Sequence, residues 1–584
     1  ESGLVMQTGE YYAVKDPSAL FIPTSLRDSL VARLDRLASV KEIAQIGACI
    51  GREFSYELVS RVASLDPEEL DAGLNRLVET GLATRRGTPP DATYTFKHAL
   101  VQDAAYDSLL KSRRAQFHAR IAQVLETDFS DQVSTAPDLL AHHHTAGGNA
   151  AAAIPLWRRA GEHALRRVAL KEAIACFQKG LGLIDQLPPS SERDRLELTI
   201  REPLNAAWTG LRGWAAADVA VNAEAILKLA KSQQNAQSLL LGLWWMWTSV
   251  ITQGRIADSI PWAQRMLDEG RDAQDIDLQI FGHAASMVSA LLNGRPLESR
   301  KQARRVTELY DASRASRWLQ LTGHDLRTFV DVYACQMTWM LGYPDEAMRA
   351  CEQSTAHART VGHAFNLVWA LTFSAYVYAY RREPGRLLAQ VREAEGLARD
   401  QGIAFITEVS VPQATGIALM QSDRHQEAIT LLRKGIERWT HFDGHVRVPY
   451  VKSALAQAVA NEGNLEGALQ LIDECLEQIE RPAWQEREWL PECLRVKGRI
   501  LFALGRFDEA EALLGRSIEC AREQQARSWE LRSCTTMAEL LADRGRGAEG
   551  RALLGPILGW FSEGFETLDL VEARALLDKL ASAV

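Results

Sequence analysis

Histidine and tryptophan are the residue types whose placement in this chain could carry chemistry. His98 follows Tyr94-Thr95-Phe96-Lys97 and opens a helical pattern running to residue 110. A ring N–H donor at a helix N-terminus suits a phosphate, because free backbone amides and the helix dipole favour an anion there. The alternative is a packing histidine that closes the preceding hairpin. His142, His143 and His144 are consecutive, whereas metal ligands on one helical face want i, i+4 spacing. The triplet therefore reads as part of a repeat helix, with Gly147-Gly148 as its turn, and no metal site is assigned. Trp244, Trp245 and Trp247 share one helical stretch, with Trp262 nearby. Tryptophan is favoured in repeat cores and in ligand-binding grooves alike, and these three mark where a groove ligand or partner would be sought. Lys301, Arg304, Arg305, Arg314 and Arg317 form the one basic cluster and read as a solvated helix face. No nucleophile–base pair stands in a motif context, so no catalytic residue is assigned and the chain is expected not to be an enzyme.

The elements that position these residues differ along the chain. From about residue 154 one unit recurs: a helix, a Gly- or Asp-containing turn, and a second helix with a small residue near its start. Clear copies are Gly342-Tyr343-Pro344-Asp345-Glu346-Ala347, Gly463-Asn464-Leu465-Glu466-Gly467-Ala468 and Gly505-Arg506-Phe507-Asp508-Glu509-Ala510. Anchored on that small residue, the series runs Ala173, Ala216, Ser259, Ser299, Ala347, Leu387, Ala428, Ala468, Ala510 and Gly550, at about 42 residues per unit. Gly and Asp end one helix and open the turn. The small anchor lets the two helices approach closely. One hairpin cannot bury its own apolar face, so neighbours stack into a curved superhelix with a concave inner surface. The units resemble tetratricopeptide repeats with helices about a turn longer than standard. The last unit, from about 531, is expected to act as a cap, with Gly559–Phe565 interrupting it and a helix over 570–580 closing the core.

The N-terminal quarter is a different module. Ile22-Pro23-Thr24-Ser25 opens a helix with Leu26, Leu30, Leu34 and Leu37 at helical spacing. Further helices are expected over 41–49 and 54–62, and a fourth begins at Asp66-Pro67-Glu68-Glu69, with proline at its first position and acids in its first turn. Short strands over 82–86 and 93–97 flank the loop 87–91, and helices follow over 98–110 and 114–126. Helices followed by a β-hairpin make a winged helix. Its candidate recognition helix, 67–80, carries Glu68, Glu69, Asp71 and Glu79 against Arg76. Such a face repels phosphate, and Arg85 and Arg86 are too few to carry DNA binding alone.

Composition narrows the class. The 584 residues exceed what one core accounts for. Lys plus Arg number 66 against 75 Asp plus Glu, a formal charge of −9 that gives no global attraction for nucleic acid or anionic membranes. Eight cysteines, none in a C-x-x-C pair, read as small buried hydrophobes in a reducing compartment. The most apolar run, 239–247, is far short of the ~20 residues a membrane helix needs. With no signal peptide, a cytoplasmic protein is expected. The chain opens at Glu1 without an initiator Met, which predicts a segment upstream.

Three stretches carry a resemblance that covers nearly the whole chain: I-P-T-S-L-R-D-S-L-V-A-R-L-D-R-L from Ile22, Tyr94 through Tyr106, and Gly559-Trp560-Phe561 through Leu580. They are similar to the C-terminal part of bacterial ATPases of the STAND class, especially those that follow a class III adenylate/guanylate cyclase domain. The resemblance implies an all-α, right-handed tetratricopeptide-like solenoid behind a winged helix. Residues 1–22 would be a remnant of the ATPase lid, 23–126 the winged helix, 127–153 a linker with the first solenoid helix, and 154–584 the repeats. It implies ATP or ADP on an upstream ATPase domain, sensed by His98; here the next residue is Ala99 where the family motif has Asp. No G-x-x-x-x-G-K-[ST] occurs in this sequence, so this chain has no cofactor of its own and holds no phosphate loop. The expected role is a regulatory sensor, interaction and oligomerisation arm. It would bind a protein or small effector in the groove and shift a nucleotide switch between two states. The alternative is a transcriptional regulator with a DNA-binding winged helix and an inducer-binding solenoid.

Overall fold

The computed structural model describes residues 5–8, 11–14, 34 and 38–582, which divide into two compact units, Glu1–Leu204 and Asn205–Val584. Apart from Leu34, the helix expected after Pro23 lies outside the described residues. Val5–Thr8 pairs antiparallel with Tyr11–Val14.

In the first unit, helices Ala38–Ile50, Tyr56–Val62 and Pro67–Glu79 precede the hairpin Ala83–Arg86 and Thr93–Phe96. The sheet has a third strand. Glu53–Ser55, whose last two residues were expected to open a helix, pairs antiparallel with Thr93–Phe96, and Phe54 stacks on Tyr94 at 5.7 Å between ring centroids. The helix starts only at Tyr56, because the Ser55 hydroxyl caps it by accepting from the Leu58 amide at 3.1 Å. Burying the Phe54 ring under the sheet outweighs one extra turn of helix. Asp66 caps the next helix in the same way, with Pro67 at its first position as expected. Helices Ala99–Asp107, Lys111–Asp128, Pro137–Ala146, Ala150–Arg166 and Leu170–Leu181 complete this part. The boundary after Leu204 leaves the first helical pairs with the N-terminal module; anchor spacing carried no signal for that division.

The second unit is a run of antiparallel helical pairs. Nine of the ten anchors are the fourth residue of the second helix of a pair, as Ala347 is in Pro344–Val361 and Ala428 in His425–His441. Ala216 instead precedes its helix, Ala217–Ser232, and Val219 and Ala223 supply the buried face. The first helices of successive pairs are buried on nearly every side. Ala236–Thr252 buries Leu240, Leu243, Trp244, Trp247 and Ile251 with most of its other residues, whereas its partner Ile256–Asp272 buries one stripe. These inner helices line the superhelix axis.

The superhelix closes on itself after one turn. The Thr252 carbonyl accepts from the amides of His445 (2.9 Å) and Val446 (3.2 Å), and the Trp484 carbonyl accepts from Ala257 at 3.0 Å. Asn293 donates to the Gln485 carbonyl at 2.9 Å across 192 residues, and the Ser528 hydroxyl donates to the Trp339 carbonyl across 189. The turn can close because Gly254, at φ 77°, lies against His445; a Cβ there would stand 3.0 Å from the His445 Cβ. Large rings then meet across the axis: Trp339 with Trp529 at 4.6 Å, Tyr380 with Trp529 at 5.7 Å and Tyr450 with Trp489 at 5.6 Å. The concave face is therefore largely filled, and an aromatic cavity remains within it.

Candidate functional site

The cavity is built from stripes on the inner helices. Trp244, Trp247, Thr248 and Ile251 come from Ala236–Thr252, and Phe329 and Tyr333 stand one turn apart on Leu326–Met340. Trp369 and Phe373, on Ala364–Ser374, and Tyr376 at the start of the next helix continue the wall. Trp214, Phe405, Val409, Gln413 and Trp439 face them, and Val446 and Arg447 close one side. The cavity between these walls measures about 80 Å³ and opens to solvent at its mouth; it is small beside the ~300–1,000 Å³ usual for small-molecule sites. Edge-to-face contacts hold the rings, as between Trp244 and Phe329 (5.4 Å) and between Trp214 and Phe405 (5.6 Å).

Beside Thr248, Thr252, Ser410 and Gln413, three buried polar groups with unpaired atoms stand in the lining. Arg447 is 5% exposed, and neither of its terminal guanidinium nitrogens completes a hydrogen bond. Its guanidinium carbon lies 4.3 Å from the Tyr376 ring centroid, 5.5 Å from Phe373 and Trp489, and 5.9 Å from Tyr333. The guanidinium's charge and side-chain hydrogen bonding toward the Tyr333 and Tyr376 phenols pull against the burial that raises both hydroxyls, but neither terminal nitrogen meets a phenol oxygen at full hydrogen-bond geometry. The residue sits at φ 68°, a left-handed backbone costly for arginine. It is held there by the Glu486 carboxyl, which accepts from its amide at 2.7 Å. His324, 5% exposed, is the second group: its Nδ1 has no partner, and burial, then His363, lowers the ring to about 4, so it is neutral. Trp369 Nε1 is the third, buried and unpaired. Such a lining takes an apolar body and fixes its orientation by a few polar contacts.

Of the tryptophans singled out from the sequence, Trp244 and Trp247 line the cavity; Trp245 is buried on the same helix outside its walls. Sequence reasoning missed Arg447, His324, Trp369 and Phe405. The 369, 373, 376 aromatic spacing, one helical stripe, was the signal for part of that set. Nothing local marked Arg447. In the first unit His98 is exposed and precedes Ala99–Asp107 without a side-chain cap bond. Two of the three consecutive histidines turn inward while His142 is exposed: His143 Nδ1 lies 2.9 Å from His118 Nδ1, and His144 Nε2 lies 3.0 Å from Glu126. His118, in turn, meets the Tyr106 hydroxyl at 3.0 Å. Burial drives His118 down to about 4 and His143 to about 3, so both are packed as neutral rings. Within the basic cluster, Arg314 and Arg317 both reach the buried Asp277, at 2.8 and 3.3 Å. Near the loop 87–91, Arg85 donates to Asn75 at 2.9 Å.

A tetratricopeptide-repeat family model matches residues 491–516 and 531–556, two successive helical pairs, and the solenoid is of that type. The chain is 23% identical over 522 residues to "Uncharacterized protein R02095" of Rhizobium meliloti (strain 1021), covering 88% of this chain and 50% of that protein. It thus spans about half the length of that curated relative. Three solved structures are similar to it. A Rap protein complexed with competence and sporulation factor is 10% identical, covering 64% of this chain and 98% of that one, at a TM-score of 0.46. A STAND protein with a tetratricopeptide repeat sensor from Pyrococcus horikoshii is 10% identical, covering 84% and 65%, at 0.34. The apo quorum sensor NprR from B. thuringiensis is 15% identical, covering 52% and 83%, at 0.34. Among the described residues, no helix is long and apolar enough to cross a membrane.

Proposed function

We propose that this chain is the sensor region of a larger signal-transduction protein, and that the aromatic cavity of its second unit binds a small effector. The observation that carries this reading is a buried guanidinium, its terminal nitrogens unpaired, at the wall of an aromatic cavity of about 80 Å³ that opens to solvent. A repeat core serving only as scaffold would fill that space and pair that charge. Because the cavity is walled by six or more inner helices that meet across one superhelical turn, an occupant would tie them together and favour the closed turn over looser ones. The helices, hairpin and acidic helix of the first unit are read as a winged helix that relays this change to an upstream STAND ATPase, with a cyclase domain further upstream. There His98, exposed at a helix N-terminus, would face bound ADP.

The test is a thermal-shift and tryptophan-fluorescence assay with the small-molecule fraction of a cell extract. The reading predicts a rise in Tm and a change in emission, both abolished when Ser410→Phe fills the cavity. An unshifted wild-type protein, or an equal shift in the filled variant, would contradict it. For the relay, His98→Ala in the protein extended upstream should raise basal output; unchanged output and nucleotide retention would remove that role.

A further inference from the structure

We propose that Arg447 anchors the carboxylate of an apolar monocarboxylic acid seated in the aromatic cavity. The proposal rests on the reading of that cavity as an effector site and names the chemistry of the effector.

The first argument is charge. Arginine stays protonated in proteins, and here burial opposes the charge while Tyr376, Tyr380 and Glu488 favour it. An isolated buried cation costs several kcal/mol, and the ring faces around Arg447 offset only part of that. Two carboxyl groups lie near. Glu486 spends one oxygen on the Arg447 amide and leaves the other unpaired. Glu488 is fully buried with both oxygens unpaired. Neither forms an ion pair with the guanidinium among the described contacts, and burial pushes both up to about 8 against the pull of Arg447. The guanidinium thus stands beside two carboxyls that burial pushes toward the neutral form, and it makes no ion pair with either among the described contacts.

The second argument is shape. Two free terminal nitrogens make a planar fork that matches the two oxygens of a carboxylate. A phosphate dianion would call for a second cation, and among the lining residues Arg447 is the one Lys or Arg. Most of the rest of the wall is tryptophan, phenylalanine, tyrosine, valine, leucine and isoleucine, with Thr248, Thr252, Ser410 and Gln413 among them, which asks for a mainly apolar body. The unpaired Trp369 Nε1 would donate to a second acceptor on the ligand, and the neutral His324 ring offers one more polar contact.

The test titrates the whole chain with 4-phenylbutyrate, its uncharged amide and phenyl phosphate, read by tryptophan fluorescence and calorimetry. The acid is expected to bind at least about tenfold more tightly than the amide, the scale of one charge-assisted hydrogen-bonded pair. Arg447→Met should erase that preference while leaving amide binding in place, which also shows that the variant is folded. Arg447→Lys should fall between, keeping the charge and losing the fork. Equal affinity for acid and amide overturns the anchor and leaves the effector site standing. So does tighter binding of phenyl phosphate, or an acid preference that survives Arg447→Met. No binding of any probe up to about 10 mM also overturns the anchor, and the extract experiment then decides separately whether the cavity is a site at all.

Discussion

Two groups of buried arginines in the same superhelix are treated in opposite ways. Arg495 makes a two-point contact with Glu492, at 2.7 and 2.8 Å, and adds Thr536 at 3.4 Å. Arg532 joins them through Asp569 at 2.8 Å and reaches Glu492 at 3.7 Å. Burial opposes the charge on Glu492, but Arg495 and then Arg532 overcome it and hold the carboxyl at about 2. Arg447 has aromatic faces around it, unpaired terminal nitrogens, and two carboxyls pushed the other way. The first cluster ties the end of the superhelix together through its own residues. The second leaves a guanidinium with unpaired terminal nitrogens at the wall of a cavity, an arrangement that structural needs alone do not explain.

The comparison can be broken most sharply at Glu492. Removing a buried ion-pair partner strands the other charge, at about 3–5 kcal/mol. Glu492→Ala is therefore expected to cost that much in urea unfolding, and a cost under about 1 kcal/mol would show that the cluster is not integral to the fold. Changing pH separates the two sites by sign. Glu492 has a folded pKa below its unfolded value, so its contribution is present above about 4.5 and lost as pH falls toward 2. Glu486 and Glu488 have folded values above theirs, so their contribution is complete below about 4.5 and lost as pH rises through 8. Glu488→Gln should flatten the alkaline limb of the stability profile and leave the acid limb; Glu492→Gln should do the reverse. A packing control touches neither arginine. A Cβ on Gly416 would stand 2.7 Å from Leu432 Cγ, so Gly416→Ala should cost about 1–3 kcal/mol by thermal melting at every pH. The smallest effect is expected at the residue of greatest interest. Arg447→Met gives up ring contacts but also removes an unpaired buried charge, so stability without ligand should move by less than about 1.5 kcal/mol. A loss as large as that of Glu492→Ala would mean Arg447 is structural.

What was legible in the sequence follows the range of the interactions. The anchors Ala347, Ala428, Ala468 and Ala510 showed the pairing because each touches a helix only a few residues away. The hairpin around 87–91 showed for the same reason. Phe54 was misread because its partner, Tyr94, lies forty residues on and turns its segment into a strand. Ala216 was placed about one turn early because the 42-residue spacing tolerates such a slip. Trp244 and Trp247 stood out by residue type, but the cavity could not be seen, since it needs Phe405, Trp439 and Arg447 brought across the superhelix axis. That closure depends on the Thr252 carbonyl meeting His445 and Val446. A repeat period fixes the pairs and says little about superhelical pitch, so a lone arginine in a loop before Val448-Pro449 carried no signal.

The central claim, that the superhelix holds a small ligand against Arg447, is tested most directly by native mass spectrometry of the purified chain after incubation with the small-molecule fraction of a cell extract. The account predicts a one-to-one adduct of an organic acid that is lost on denaturation, absent with Ser410→Phe and strongly reduced with Arg447→Met. A wild-type chain that retains no adduct, or an adduct indifferent to both substitutions, would contradict it.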